Sequence, residues 1–174
     1  VTVSHDHKDH NQAYLVEGVK KIITGPGEYE ISEISIIGIS SYHDDKNGTL
    51  RGKNTIYVYE IDGLRLAHLG DLGHEISETT LEAMGDIDIL MIPVGGEYTI
   101  GPEVAAKIVG DIEPSLILPM HYQMAGLNSE IFSKLSKVHD FVKQASLPVQ
   151  TLPKLTVKKE DLEKGEKIVI LEKK

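Results

Sequence analysis

The sequence predicts an α/β fold in which a mixed sheet carries helices on its outer face. Short apolar runs rich in β-branched residues recur at 21–24, 34–40, 55–61, 64–69, 87–93 and 115–119, mostly bounded by Gly, Pro, Asp or Asn. Two of them are separated only by Asp62-Gly63, a hairpin step that makes part of the sheet antiparallel. Through the second half, strands lead into turns and segments of helical spacing, which places helices against the sheet.

Taken in order, Val1 to Val3 ends a strand and runs into the polar stretch Ser4-His5-Asp6-His7-Lys8-Asp9-His10-Asn11. Helical spacing covers 76–84 and then 102–109, where Pro102 suits a first turn and Gly110 a stop. A longer helix is expected over 129–144, because Ile131, Phe132, Leu135, Val138, Phe141 and Val142 fall three and four apart and Asn128 or Ser129 can cap it. The tail, 154–174, reads as a charged turn between two strands, ending in a strand over 167–171. There is no internal repeat and no low-complexity segment.

At roughly 150 residues per domain, a chain of 174 residues is expected to form one domain, 1–174. No run approaches the roughly 20 apolar residues of a membrane span, so a membrane partner is not expected. Twenty-seven acidic against eighteen basic side chains give a formal net charge of −9, which disfavours nucleic acid. The absence of cysteine excludes disulfides and thiolate metal sites, so a metal would have to be held by imidazole and carboxylate, and eight histidines are available. No charged n-region followed by an apolar h-region opens the chain, and the expected location is cytoplasmic.

His5, His7, Asp9 and His10 form the pattern HxHxDH. In an extended segment residues two apart share a face, so His5 and His7 can grip one cation, while a turn after them aims Asp9 and His10 at a neighbouring point. A histidine-rich surface loop is the alternative. Four ligand-type residues in six positions favour the metal.

That loop, followed in order by Ser41-Tyr42-His43-Asp44, His68-Leu69-Gly70-Asp71, Ile92-Pro93-Val94-Gly95-Gly96 and Leu118-Pro119-Met120-His121-Tyr122, resembles the metallo-β-lactamase superfamily, in particular its lactonase-like and phosphodiesterase-like hydrolases. The resemblance implies the αββα four-layer sandwich with mixed sheets. It further implies that His5, His7 and His43 hold one metal, that Asp9, His10 and His121 hold a second, and that Asp71 bridges them, with Asp9 and Asp71 the catalytic carboxylates. Nitrogen and oxygen donors without sulfur make Zn²⁺ the first choice of two divalent ions, with Mn²⁺ or Fe²⁺ as alternatives. Such a pair generates hydroxide near neutral pH, and the expected reaction is hydrolysis of a small ester-like molecule, a lactone or a phosphodiester.

Further candidates lie beside these motifs. His74 is a candidate proton donor or substrate contact, and Arg51, Asn54 and Tyr122 are candidates for binding an anionic substrate, each weighed against a helix-cap or solvated-loop role. Tyr98 and Thr99 share that ambiguity, whereas His68 and His139 read as structural or exposed. Family members begin with strands ahead of the HxHxDH loop that are not present in this sequence, so the chain reads as N-terminally truncated, with a further segment or a homo-oligomeric partner expected to complete the sheet. The competing functions are a di-iron redox protein, disfavoured by His7 standing where that branch has Glu; a nuclease, disfavoured by charge; and a scaffold that has kept the fold.

Overall fold

A computed structural model describes residues 1–162 and 165–173. Strands β1 (Thr2–Val3) and β2 (Ile23–Thr24) pair in parallel as a small sheet. The eight strands of the large sheet are β3 (Gly27–Ile31), β4 (Ile34–Tyr42), β5 (Lys53–Ile61), β6 (Leu64–His68), β7 (Ile89–Pro93), β8 (Leu116–Met120), β9 (Val149–Leu152) and β10 (Lys167–Leu171). Their order is β3-β4-β5-β6-β7-β8-β10-β9, antiparallel from β3 to β6 and parallel thereafter. The helices are α1 (Glu78–Met84), α2 (Pro102–Ile112), α3 (Ser129–Phe132) and α4 (Val138–Ala145). None of the described helices is long and apolar enough to cross a membrane.

The period of two along the strands sorts side chains between two cores. Ile56, Val58, Leu90, Ile92, Ile117 and Ile168 point to one face, where Met84 of α1, Ala105, Ile108 and Val109 of α2, and Phe141 of α4 close over them. Their neighbours Ile89, Leu116, Leu118 and Val169 point the other way and are covered by Leu152, Leu155, Val157 and Leu162. On that same side, Ile23 of β2 packs against Ile36 and Tyr57, and the Tyr57 hydroxyl donates to the Val3 carbonyl at 3.1 Å. The two sheets thus face one another across an apolar layer, with helices outside the larger one, as expected for the sandwich.

Several boundaries differ from expectation. Strand β3 and its link to β4 lack a turn signature, because the two-residue turn is Ser32-Glu33 with φ of 53° and 66°, where glycine or asparagine is the usual choice. Gly110 does not stop α2, which continues to Ile112 and ends at left-handed Glu113; packing of Ile112 on the core outweighs the glycine. The long helix over 129–144 is two helices. Ser136 leaves the helical path, donating its N–H to the Gly95 carbonyl at 2.7 Å and accepting from Gln123 N–H at 2.9 Å, and α4 starts afresh after Lys137. The turn expected in the tail includes 163, 164 and 174, which lie outside the described residues.

Candidate metal centre

Strands β4, β6, β7 and β8 all run in the same direction, so their carboxyl ends reach one edge of the sheet. There the chain places its chemistry. His43 follows β4, Asp71 lies three residues past β6 and His121 directly follows β8. The loop after β1 meets them: the Ser4 carbonyl accepts Thr55 N–H of β5 at 2.8 Å, and the His7 carbonyl accepts from both His10 and Asn11, forming the turn that swings Asp9 and His10 around. His121 has φ 55°, a left-handed backbone that is uncommon outside glycine, and the turn sends its imidazole back over the sheet edge.

One carboxylate oxygen is the focus. Asp71 Oδ2 lies 3.3 Å from His43 Nε2, 3.4 Å from His10 Nε2, 3.5 Å from His121 Nε2 and 3.6 Å from His5 Nε2. Donor atoms of His5, His7 and His43 lie within 4.8 Å of one another, as do those of His5, His10 and Asp71. Asp9 joins at the rim, with Oδ2 3.7 Å from His10 Nε2. All seven residues expected as ligands are therefore brought together.

Their electrostatics suit a cation. Asp71 is only 4% exposed, and burial pushes its pKa up, but the imidazoles of His43, His121, His10 and His5 outweigh this and hold it at about 2. Burial drives His5 down to about 4, with crowding by His10, His43 and His7 adding to it against the pull of Asp71. At neutral pH the carboxylate is charged and His5 is neutral, with a free lone pair. Ser4 Oγ holds His5 Nδ1 at 2.9 Å, while His5 Nε2 is buried and has no hydrogen-bond partner among the described residues. A buried imidazole nitrogen left without a hydrogen-bond partner beside a charged carboxylate is an orphan without a cation and a ligand with one. The donor set fits divalent metal.

The remaining candidates divide. Asn54, 1% exposed, is spent on structure: its Oδ1 accepts Asp71 N–H at 3.0 Å and its amide donates to Ser41 Oγ and the Leu69 carbonyl, so it holds the Asp71 backbone from beneath. His74 turns away, Nε2 receiving Tyr42 N–H at 3.2 Å and Nδ1 contacting the Glu75 carbonyl at 2.7 Å. Arg51 reaches the centre and lines a pocket of about 300 Å³ with His7, Asp9, His43, Asp71 and Tyr98. Its guanidinium donates to the Glu97 carbonyl and lies 5.7 Å from the Tyr98 ring centroid. Tyr122 is half-buried beside His121, and burial raises its hydroxyl pKa.

Two functional positions escaped the sequence reading. Ser4 orients His5, and its place immediately before HxHxDH was the available signal. Asp44 organises the loop that carries Arg51: Oδ1 accepts Lys46 and Gly48 N–H at 2.8 and 2.9 Å, and Oδ2 accepts Leu50 N–H at 3.0 Å and Arg51 N–H at 2.6 Å. The polar run Asp44-Asp45-Lys46-Asn47-Gly48 was its signal.

Comparison with known proteins places this arrangement. A family model described as the β-lactamase superfamily domain matches residues 1–121. A metal-dependent hydrolase of Thermococcus onnurineus is 35% identical over 114 residues, covering 63% of this chain and 51% of that protein; one of Pyrococcus furiosus is 32% identical with the same coverage. The chain thus spans about half the length of these relatives. A crystal structure of a Thermotoga maritima protein described as a zinc-dependent hydrolase of the metallo-β-lactamase superfamily superposes with a TM-score of 0.78 at 35% identity, covering 98% of this chain and 80% of that one. A metal-dependent hydrolase structure from Parabacteroides distasonis shares the fold at 20% identity, with a TM-score of 0.64, 98% of this chain and 74% of that one covered.

Proposed function

This chain belongs to the β-lactamase superfamily, and on that membership and the geometry of its centre we propose that it is a metal-dependent hydrolase with a dinuclear site, acting on a small ester-like molecule. The observation that carries the reading is the convergence of four imidazole nitrogens on Asp71 Oδ2, with buried His5 Nε2 lacking a hydrogen-bond partner among the described residues.

In this reading His5, His7 and His43 would hold one cation, Asp9, His10 and His121 would hold the other, and Asp71 would serve both. Zinc is the leading choice. When bound, such ions supply Lewis acidity and lower the pKa of a coordinated water toward about 7. The chain's own residues do the rest. Asp71, ionised and buried, concentrates negative charge where positive charge must gather, and Asn54 keeps its backbone fixed. Asp9, with an exposed carboxylate beside His10, can take a proton from the attacking water and return it to the leaving oxygen. Arg51 lines the pocket, where its charge attracts a polar or anionic substituent.

Metal content tests this. Purified without chelator and reconstituted with zinc, the protein is expected to carry close to two ions per chain by plasma mass spectrometry. His121→Gly, which accepts the left-handed backbone freely and removes the imidazole, is expected to carry about one. A wild-type chain that stays empty after reconstitution overturns the reading and leaves a scaffold.

A further inference from the structure

Resting on the hydrolase reading, we propose that the substrate is a carboxylic ester or lactone with an aliphatic acyl arm, and that the arm lies in an apolar cavity beside His10 and His121. The cavity, open to solvent on one side, holds about 400 Å³ and is lined by Met120, Tyr122, Met124, Leu127, Phe132 and Leu135. It shares Asp9, His10, His121 and Phe132 with the pocket above the centre, so a group lying against Asp71 continues directly into it.

The cavity exists because the helix over 129–144 breaks. Ser136, tied to Gly95 and Gln123, draws the chain off the helical path, and Leu135 and Phe132 line the cavity. Tyr98 fixes the wall: its hydroxyl donates to the Ile131 carbonyl at 2.9 Å and its ring meets Phe132 edge-on at 6.4 Å. Two methionines, Met120 and Met124, give the lining the adaptability suited to a flexible chain.

The two flanks of the centre differ in chemistry. On the His10 and His121 flank the wall carries no lysine or arginine among the described residues. On the His7 flank Arg51 is the one lysine or arginine among the residues lining the pocket above the centre. A phosphodiester carries an alkoxy oxygen on each side and would press one of them against an apolar wall, with the guanidinium on the other flank already engaged by Glu97 and Tyr98. A carboxylic ester fits both flanks, with its alkyl side in the cavity and its polar alcohol side toward Arg51. In the reaction the water oxygen bonds to the acyl carbon and the acyl C–O bond breaks. The leaving oxygen keeps the bonding pair and gains the proton, releasing a carboxylic acid and an alcohol from an ester, or a single hydroxy acid from a lactone.

The test has two arms on the zinc-reconstituted protein. Turnover is measured for p-nitrophenyl acetate, butyrate, hexanoate and octanoate, with bis(p-nitrophenyl) phosphate alongside. Binding of acetate, butyrate, hexanoate and octanoate is measured by calorimetry. Expected is a rise of about fourfold per methylene in both kcat/KM and affinity. Met124→Trp, which fills the cavity, is expected to cut the octanoate-to-acetate ratio at least tenfold in both arms; Leu127→Trp is a second filling variant, and each is checked for folding by circular dichroism. Equal binding and turnover of short and long members overturns the cavity assignment while leaving a hydrolase. Faster cleavage of the phosphodiester than of every ester does the same. Graded binding without turnover of any compound overturns the hydrolase reading, and the substrate assignment with it.

Discussion

At the scale of single residues, the centre depends on side chains that touch no substrate. Asp44 is the clearest, since one carboxylate satisfies four backbone N–H groups of the loop ending at Arg51. Burial opposes its charge, but the N–H groups of Arg51, Lys46, Gly48 and Leu50 hold its pKa at about 2. The sign follows from that depression: its contribution is complete above the ordinary carboxylate range near 3.8 and is lost as pH falls toward about 2. Asp44→Asn retains one acceptor oxygen, so one pair of N–H groups loses its partner. Amide exchange by NMR is expected to speed at either Lys46 and Gly48 or Leu50 and Arg51; unchanged exchange at all four would show that the loop holds itself. HxHxDH was legible at this scale because four donors lie within six positions. Asn54 was legible only as a neighbour of the motifs, and its bond to Asp71 N–H spans 17 residues that no local pattern connects.

At the scale of elements, close backbone approach sets the geometry of the site. A Cβ on Gly73 would collide with backbone atoms of His43 and Asp44, and one on Gly95 with the His121 carbonyl oxygen. The segments after β6 and β7 can therefore pass beside His43 and His121 only because these positions lack side chains. Gly95→Ala is expected to destabilise the fold by about 3 kcal/mol, the upper range for overpacking, and to lower zinc affinity by displacing His121. Urea melts with zinc titration check both, and a variant with wild-type stability and affinity would show that the loop yields freely. The helix break was hidden for a related reason. Spacing of Ile131, Phe132, Leu135 and Val138 describes a helix well, and the hydrogen bonds that Ser136 donates to distant Gly95 and accepts from Gln123 pull the chain away from it.

At the scale of the whole molecule, a metal that binds the folded chain alone stabilises it by mass action. With free zinc a thousandfold above Kd the gain is about 4 kcal/mol, which for a chain of this size raises Tm on the order of 10 °C. Chelation by EDTA is expected to reverse that rise in a thermal melt; identical melting with and without chelator would mean that metal and fold are uncoupled. The seven proposed donors come from loops after β1, β4, β6 and β8, and the shared direction of the last three strands brings their loops to one edge. The sequence by itself determined the donor chemistry, because excluding cysteine and placing ordered His and Asp motifs needs only residue identity. It also determined most of the strands and the hairpin, which arise from local alternation and turn residues. Only the tertiary structure decided that Asn54 and His74 are spent on backbone, that Arg51 faces the centre and that an apolar cavity adjoins His121. Those outcomes rest on contacts between residues far apart in the chain, whose energies exceed the local preferences that a sequence displays.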